Sequence, residues 1–436
     1  MSWEKTYQQK VVSAETALEA IKDGDTIFFG VTCGVPALLN KTFWEKAKQW
    51  KNLTAIPALS LQPMPLDDPS YLGHVKVVPF FLGPVERKGL KTGIVSHPPM
   101  HFSQVCTWLK NYAKPRVAFL HLSPPDERGY MSLGAMGICT GKAVMETADI
   151  IIAEVNNNYP YVYGQDNVVH VDDVDFIVEH DAPLPELSNP PISDNDRKIA
   201  SYIVDLVPDG ATIQVGIGGI ANAVTYGLEG KKDLGVHTEM LTDAMVHLAK
   251  IGVINCSKKN HFPGKIVSSQ FLGSQEQYDF VHKNHLVHGV TYDDSNNPFN
   301  IAKNDNMIGI MGSLAVDLTG QAASEALGFQ QFSSTGGQSD FVRGCRMAKG
   351  GKSFITLHST VKTKDGKLDS RIVLSHLPGA AITTSRTDIH HVVTEYGIVD
   401  LIGKSISERA KALISIAHPD FREQLTVEAK KVGILI

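Results

Sequence analysis

The sequence is poor in cysteine. Five occur in 436 residues, Cys33, Cys106, Cys139, Cys256 and Cys345, and no two form a C-x-x-C pair. An odd, scattered set excludes a disulfide framework and points to a reducing compartment. Long apolar runs are also missing. Stretches such as "DIIIAEV" fall far short of the ~20 residues that cross a bilayer. The amino-terminal "MSWEKTYQQK" is charged and lacks the apolar centre of a signal peptide. A cytoplasmic protein with no membrane partner is therefore expected. No block of five or six like charges appears, and the formal net charge is −5. Nothing in that balance marks a nucleic-acid partner.

Several chemistries lack their signatures. There is no G-x-S-x-G, which removes the nucleophile-elbow hydrolases. "GIVDLIGKS" puts five residues between Gly397 and Gly403, one too many for a Walker phosphate loop. His97 and His101 are four apart, but the two prolines between them bar a simple helical metal pair, and no metal site is expected. No cysteine sits beside a histidine or in an electropositive loop, so no thiol nucleophile is indicated.

What is present describes a globular α/β protein. Apolar residues make up 43% and charged residues 20%. At roughly 150 residues per domain, the length implies two or three domains. Apolar strands alternate with helical stretches, as in "ATIQVGIG" followed by "IANAVTYGLEG", and that alternation implies largely parallel sheets. Residues 405–432 read as helices broken at Pro419.

An internal repeat runs through this pattern. Asp23-Gly24-Asp25-Thr26-Ile27-Phe28-Phe29-Gly30 is echoed by Asp209-Gly210-Ala211-Thr212-Ile213-Gln214-Val215-Gly216, each followed by an amphipathic helix. Asp126-Glu127-Arg128-Gly129 is echoed by Asp317-Leu318-Thr319-Gly320, and "ADIIIAEVN" by "HHVVTEYG". Three pairs in one order imply two similar three-layer α/β domains related by duplication. The Pro-rich "HDAPLPELSNPPISD" would link them, which divides the chain into residues 1–190 and 191–436.

The chemistry-bearing residues lie in the second half. Gly216, Ile217, Gly218, Gly219 and Ile220 form a glycine loop between a strand and a helix. With Ala221 it fits the dinucleotide fingerprint, and Glu239 stands near the distance where an acidic ribose ligand is expected. An NAD-dependent oxidoreductase is one reading. Bare backbone N–H groups at such a turn can equally hold a phosphate or polarise a carbonyl. Along "LGVHTEM", alternation puts Val236 and Thr238 on one face and His237 and Glu239 on the other. A strand that ends at Glu239 would present the carboxylate where α/β sheets bind ligands, as a ribose grip, a base or a nucleophile. The alternative is a Glu in the first turn of the next helix, facing its dipole. A second glycine cluster, Ser333-Ser334-Thr335-Gly336-Gly337-Gln338, precedes Arg343, Arg346, Lys349 and Lys352. It suits a phosphate-bearing ligand or, more simply, a polar loop before a solvated basic face.

Taken together, "SPPDERGYMSLG", "AEVN", "VGIGGIANAV", "GVHTEML", "FSSTGGQSDFVRG" and the long stretch from Val392 to Leu425 resemble the acetyl-CoA hydrolase/transferase family. Within that family of family I CoA-transferases the likeness is greatest to the 4-hydroxybutyrate and butyryl-CoA:acetate CoA-transferases. It covers nearly the whole chain, with Ile402 standing where Arg or Lys is expected. The resemblance implies that Glu239 is a nucleophile that carries CoA as a glutamyl thioester. It implies that the loop from Gly216 to Ile220, with Gly336, Gly337 and Lys362, contacts CoA. It further implies acyl-CoA and small carboxylic acids as partners, coenzyme A as substrate, no tightly bound cofactor, and a homodimer or homotetramer. A short acyl-CoA hydrolase with the same nucleophile and a non-catalytic CoA-binding module are the alternatives.

Overall fold

The computed structural model describes residues 2–436. The chain forms two compact units. One contains the residues up to Ser188 together with Glu239–Asp243 and Val267–Ser295. The other contains Asn189–Thr238, Ala244–Ile266 and Asn296–Ile436.

The first sheet has six strands, in the order Val75–Val77, Leu53–Ala58, Thr26–Val31, Val117–Leu122, Ile150–Val155 and Phe176–Glu179. All five neighbouring pairs are parallel. Such strands are covered on both faces, which is why they read as continuous apolar runs without alternation. Every residue of Val117–Leu122 is buried. Phe29 anchors the core, edge-on to Phe43 at 4.8 Å and to Phe119 at 4.9 Å. Gly30 then turns the chain at φ 95°, and a Cβ there would meet the Gly34 carbonyl oxygen at 2.4 Å.

The second sheet has eight strands: Val287–Gly289, Ile266–Phe271, Gly235–Leu241, Thr212–Val215, Met307–Gly312, Lys352–Thr356, His391–Thr394 and Gly397–Asp400. The strands from Thr212–Val215 to His391–Thr394 pair in parallel, and Gly397–Asp400 closes an antiparallel hairpin. Two helices, Ile406–Ser415 and Pro419–Lys431, follow it. Pro419 opens the second of them, where a missing N–H costs nothing. Leu413, Leu425 and Ala429 bury their apolar faces in the core of this unit.

Strand order relates the two sheets. In each, the strands that directly succeed the D-G-x-T-I strand lie on one side, two in the first sheet and three in the second, and later strands lie on the other. The strands leading to Asp126 and Asp317 also hold matching places beside it. The third echo differs. Ile150–Val155 stands second beyond the D-G-x-T-I strand, whereas His391–Thr394 stands third. The strand at the matching place is Lys352–Thr356, which shares no motif with Ile150–Val155 beyond its apolar run.

Candidate active site

The glycine loop lies at a topological switch point. Thr212–Val215 is followed in space by a strand on each side, and ligands of α/β sheets bind beyond the carboxyl ends at such places. The Gly216 N–H donates to the Ile310 carbonyl at 3.0 Å, tying the loop to Met307–Gly312. Ile217 is exposed. Gly218 has φ 112° and ψ 178°, a conformation that only glycine adopts freely, and its carbonyl accepts from Asn222 N–H at 2.9 Å. Gly219 opens the helix Gly219–Gly227. Amides in a first helical turn have no intrahelical acceptor, and the helix dipole favours negative charge beside them.

Asp196 supports this turn from the helix Asp194–Val204. Its Oδ2 accepts from the Ser193 N–H at 2.8 Å and from the Ser193 hydroxyl at 2.7 Å. A Cβ on Gly219 would lie 2.7 Å from that same Oδ2. The other oxygen, Oδ1, receives His358 Nε2 at 2.7 Å. Burial works to raise the Asp196 carboxyl, but its bonds to Ser193 and His358 outweigh burial and hold it below its ordinary value.

Glu239 stands fifth in the seven-residue strand Gly235–Leu241. The strand therefore runs on past the carboxylate instead of stopping there. The next helix begins at Asp243, so Glu239 is not in its first turn, and the dipole reading falls away. Glu239 is half-buried between fully buried Thr238 and buried Met240. Its backbone carbonyl accepts two hydroxyls, Ser268 Oγ at 3.1 Å and Ser269 Oγ at 3.0 Å. Ser295 Oγ bonds Ser269 Oγ in turn, at 2.9 Å. Tyr292 is completely buried, and the Gln270 amide donates to its hydroxyl. Burial, then Cys139 and the charge of Glu239, push its phenol well above the ordinary range. The carboxylate thus rises from a backbone held by two serine hydroxyls, one of them braced by Ser295, beside a neutral phenol.

Gly336 and Gly337 are buried at the start of the helix Gln338–Met347, with Gly336 at φ 63°. Beside them the buried Ser334 hydroxyl has no hydrogen-bond partner among the described residues. The buried Glu325 carboxyl is pushed up by burial, against bonds from Thr335 and Thr383. The cations after this loop do not gather on it. Arg343 pairs with Asp388 at 3.0 Å, Arg346 donates to the Thr387 carbonyl at 2.6 Å, and Lys349 lies 3.8 Å from Asp305. Lys362 is exposed on the hairpin of Thr360–Lys362 and Leu368–Ser370. The loop Gly216–Ile220, Gly336, Gly337 and Lys362 belong to one unit, and Glu239 is counted with the other.

Sequence reasoning passed over the Asp196–His358 pair and the Ser268, Ser269, Gln270 and Tyr292 setting of Glu239. The only linear signal was a polar "SSQ" inside the otherwise apolar strand Ile266–Phe271. It also passed over His390, His391 and Asp400, whose ligand-type atoms lie within 4.8 Å of one another. The two imidazoles stack at 4.0 Å and 27°. Near-parallel rings keep their in-plane lone pairs from converging on one ion.

Two stretches of the chain match the models of one family. Residues 1–186 match the acetyl-CoA hydrolase/transferase N-terminal domain and residues 273–429 its C-terminal domain. The glycine loop and Glu239 lie between these stretches, within the longer likeness to whole relatives. One is a 4-hydroxybutyrate coenzyme A transferase of Clostridium kluyveri, 40% identical over 99% of this chain and 100% of the relative. Another is a butyryl-CoA:acetate CoA-transferase of Anaerostipes caccae, 36% identical over 100% of this chain and 99% of the relative. The solved structure of a 4-hydroxybutyrate CoA-transferase from Porphyromonas gingivalis superposes with a TM-score of 0.83, at 35% identity, over 99% of this chain and 100% of that one. The fold is that of the CoA-transferases. The chain belongs to the acetyl-CoA hydrolase/transferase family.

Proposed function

We propose that the protein moves CoA between a short-chain acyl-CoA and a free carboxylate, with Glu239 as the covalent carrier. The acyl group is 4-hydroxybutyryl, butyryl or acetyl, and the acceptor is a carboxylate such as acetate. The observation that carries this reading is full-length kinship to proteins named for that exchange, at 40% and 36% identity. A half-buried glutamate on a core strand supports it chemically.

The chemistry runs in two mirrored halves. A Glu239 carboxylate oxygen attacks the thioester carbon, the C–S bond breaks, and CoA leaves as a thiolate. The thiolate attacks the Glu239 carbonyl carbon of the resulting anhydride. That step releases the first acid as a carboxylate and leaves a glutamyl-CoA thioester. An incoming carboxylate reverses the two steps and departs as its own CoA ester. This is covalent catalysis with ping-pong kinetics. Each addition places charge on an oxygen, which the reading assigns to the amides of Gly218 and Gly219. One such donor is typically worth ~3–4 kcal/mol. Gly216, Ile217, Ile220, Gly336, Gly337 and Lys362 are assigned to CoA, whose remote contacts supply binding energy used at the reacting carbon. No tightly bound cofactor enters the scheme.

Incubation with butyryl-CoA alone is expected to leave a CoA-sized adduct on the peptide that contains Glu239. Glu239→Ala is expected to form no adduct and to lose transfer by at least a thousandfold. Undiminished turnover by that variant would sink the proposal. A panel of acceptor acids, with CoA transfer and thiol release followed together, separates transferase from hydrolase: a hydrolase releases thiol at one rate whether or not an acceptor is present. The proposal extends to a cytoplasmic homodimer or homotetramer, to be checked by light scattering. It also takes residues 1–190 and 191–436 as the duplicated halves, a reading supported by the matching strand order.

A further inference from the structure

The Asp196 carboxylate does two jobs with two oxygens. Oδ2 completes the capping box of Asp194–Val204, taking both bonds from Ser193. Capping needs nothing more. Oδ1 is left over, and it is claimed from 162 residues away by His358 Nε2. His358 follows the strand Lys352–Thr356, and its neighbours are pinned: Leu357 N–H donates to the Val393 carbonyl at 3.1 Å and Ser359 N–H to Glu395 Oε2 at 2.9 Å. The imidazole therefore leaves a fixed backbone. Asp196 itself is 4% exposed, and its Oδ2 occupies the space that a side chain at position 219 would need.

A buried carboxylate at the foot of Gly219 has a consequence for the loop. Glycine is the residue that lets the helix start come this close, so the turn and the acid share one position. The negative charge would also oppose any oxyanion gathered by the neighbouring amides, unless a donor on its far side draws it away. His358 is that donor.

We propose that His358, acting through Asp196, is a positioning residue for the glycine loop, holding the Gly218–Gly219 turn in place and keeping the carboxylate from competing for its amides. The inference rests on the reading of that loop as the oxyanion-binding element. It does not make His358 a group that touches substrate.

Two variants test it. His358→Ala removes the bond to Asp196, while in His358→Gln the amide nitrogen can replace Nε2. His358→Ala is expected to lower kcat for CoA transfer about tenfold, with KM for acyl-CoA changed less than twofold. His358→Gln should return kcat to within about threefold of the parent. Hydrogen exchange provides the readout that does not depend on turnover. The amides of Gly216 and Asn222, bonded to the Ile310 and Gly218 carbonyls on either side of the turn, should exchange at least tenfold faster in His358→Ala, should recover in His358→Gln, and should stand apart from unchanged amides elsewhere. Equal loss in both variants, or unaltered kcat and exchange in His358→Ala, overturns the inference. A parent enzyme that transfers no CoA, or a Glu239→Ala variant that still does, fails the functional reading instead. The exchange measurement decides the role of His358 in either case.

Discussion

Gly218 and Gly219 are adjacent glycines with different reasons for being glycine. At Gly218 the backbone demands it, because φ is 112° while an added Cβ would meet nothing within 4 Å. At Gly219 the surroundings demand it, because the Cβ would press on Asp196. Each alanine variant is expected to lose about 1–3 kcal/mol of stability, one through backbone strain and the other through overpacking. The double variants separate the causes. In an Asp196→Ala background, measured by denaturant unfolding, the Gly219→Ala penalty should shrink and the Gly218→Ala penalty should not. The "GIGG" string was legible in the sequence as a tight turn. Which glycine answers to which constraint was not, because Asp196 lies over twenty residues away and meets the loop only after folding.

At the scale of the element, the strand Gly235–Leu241 shows what supports a functional side chain. Lys259 runs over Gly235, where a Cβ would meet its Cγ at 2.4 Å. Its ammonium donates to the Val236 carbonyl at 2.7 Å and to the Lys265 carbonyl at 2.9 Å. Burial pushes this amine down from 10.5 to about 8, against a smaller opposing effect of Cys256. The unfolded chain therefore holds more protons than the folded one between pH 8 and 10.5. Stability should rise with pH across that window, because the burden of a buried ammonium is present below about 8 and is relieved above it. Lys259→Met carries no such proton. The unfolding free energy of the parent minus that of the variant should climb by about 2–3 kcal/mol from pH 8 to 10.5. A flat difference over that range would remove Lys259 as the cause. Period-2 alternation placed Glu239 on this strand but ended the strand there, two residues short of Leu241. The hydroxyls of Ser268 and Ser269 on the Glu239 carbonyl come from another strand, and beyond the polar "SSQ" no local pattern announces such a bond.

At the scale of the molecule, the two sheets arrange the strands next to the repeated D-G-x-T-I strand in the same way. That order, and kinship over the full length to CoA-transferases, give the CoA reading its prior over a dinucleotide reading of the same glycine loop. Ligand linkage distinguishes them. Free CoA at 100 times its dissociation constant should stabilise the protein by about 2.7 kcal/mol and raise its melting temperature, whereas millimolar NAD should leave it unmoved. A rise with NAD and none with CoA in a thermal-shift assay would reverse the assignment.

The sequence by itself determined the class of fold, the duplicated strand–turn–helix units, the glycine loop and the glutamate proposed to carry CoA. The fold class, the units and the loop are written in short-range terms, as apolar periodicity and turn residues, while the role of the glutamate came only through the resemblance to a family carried by longer stretches of the chain. The tertiary structure decided what surrounds them. It set Asp196 between Ser193 and His358, Tyr292 against Gln270, and the third repeat strand at a place other than its motif suggested. Such pairings depend on which surfaces are brought together when the sheets form, and sequence separation carries no record of that.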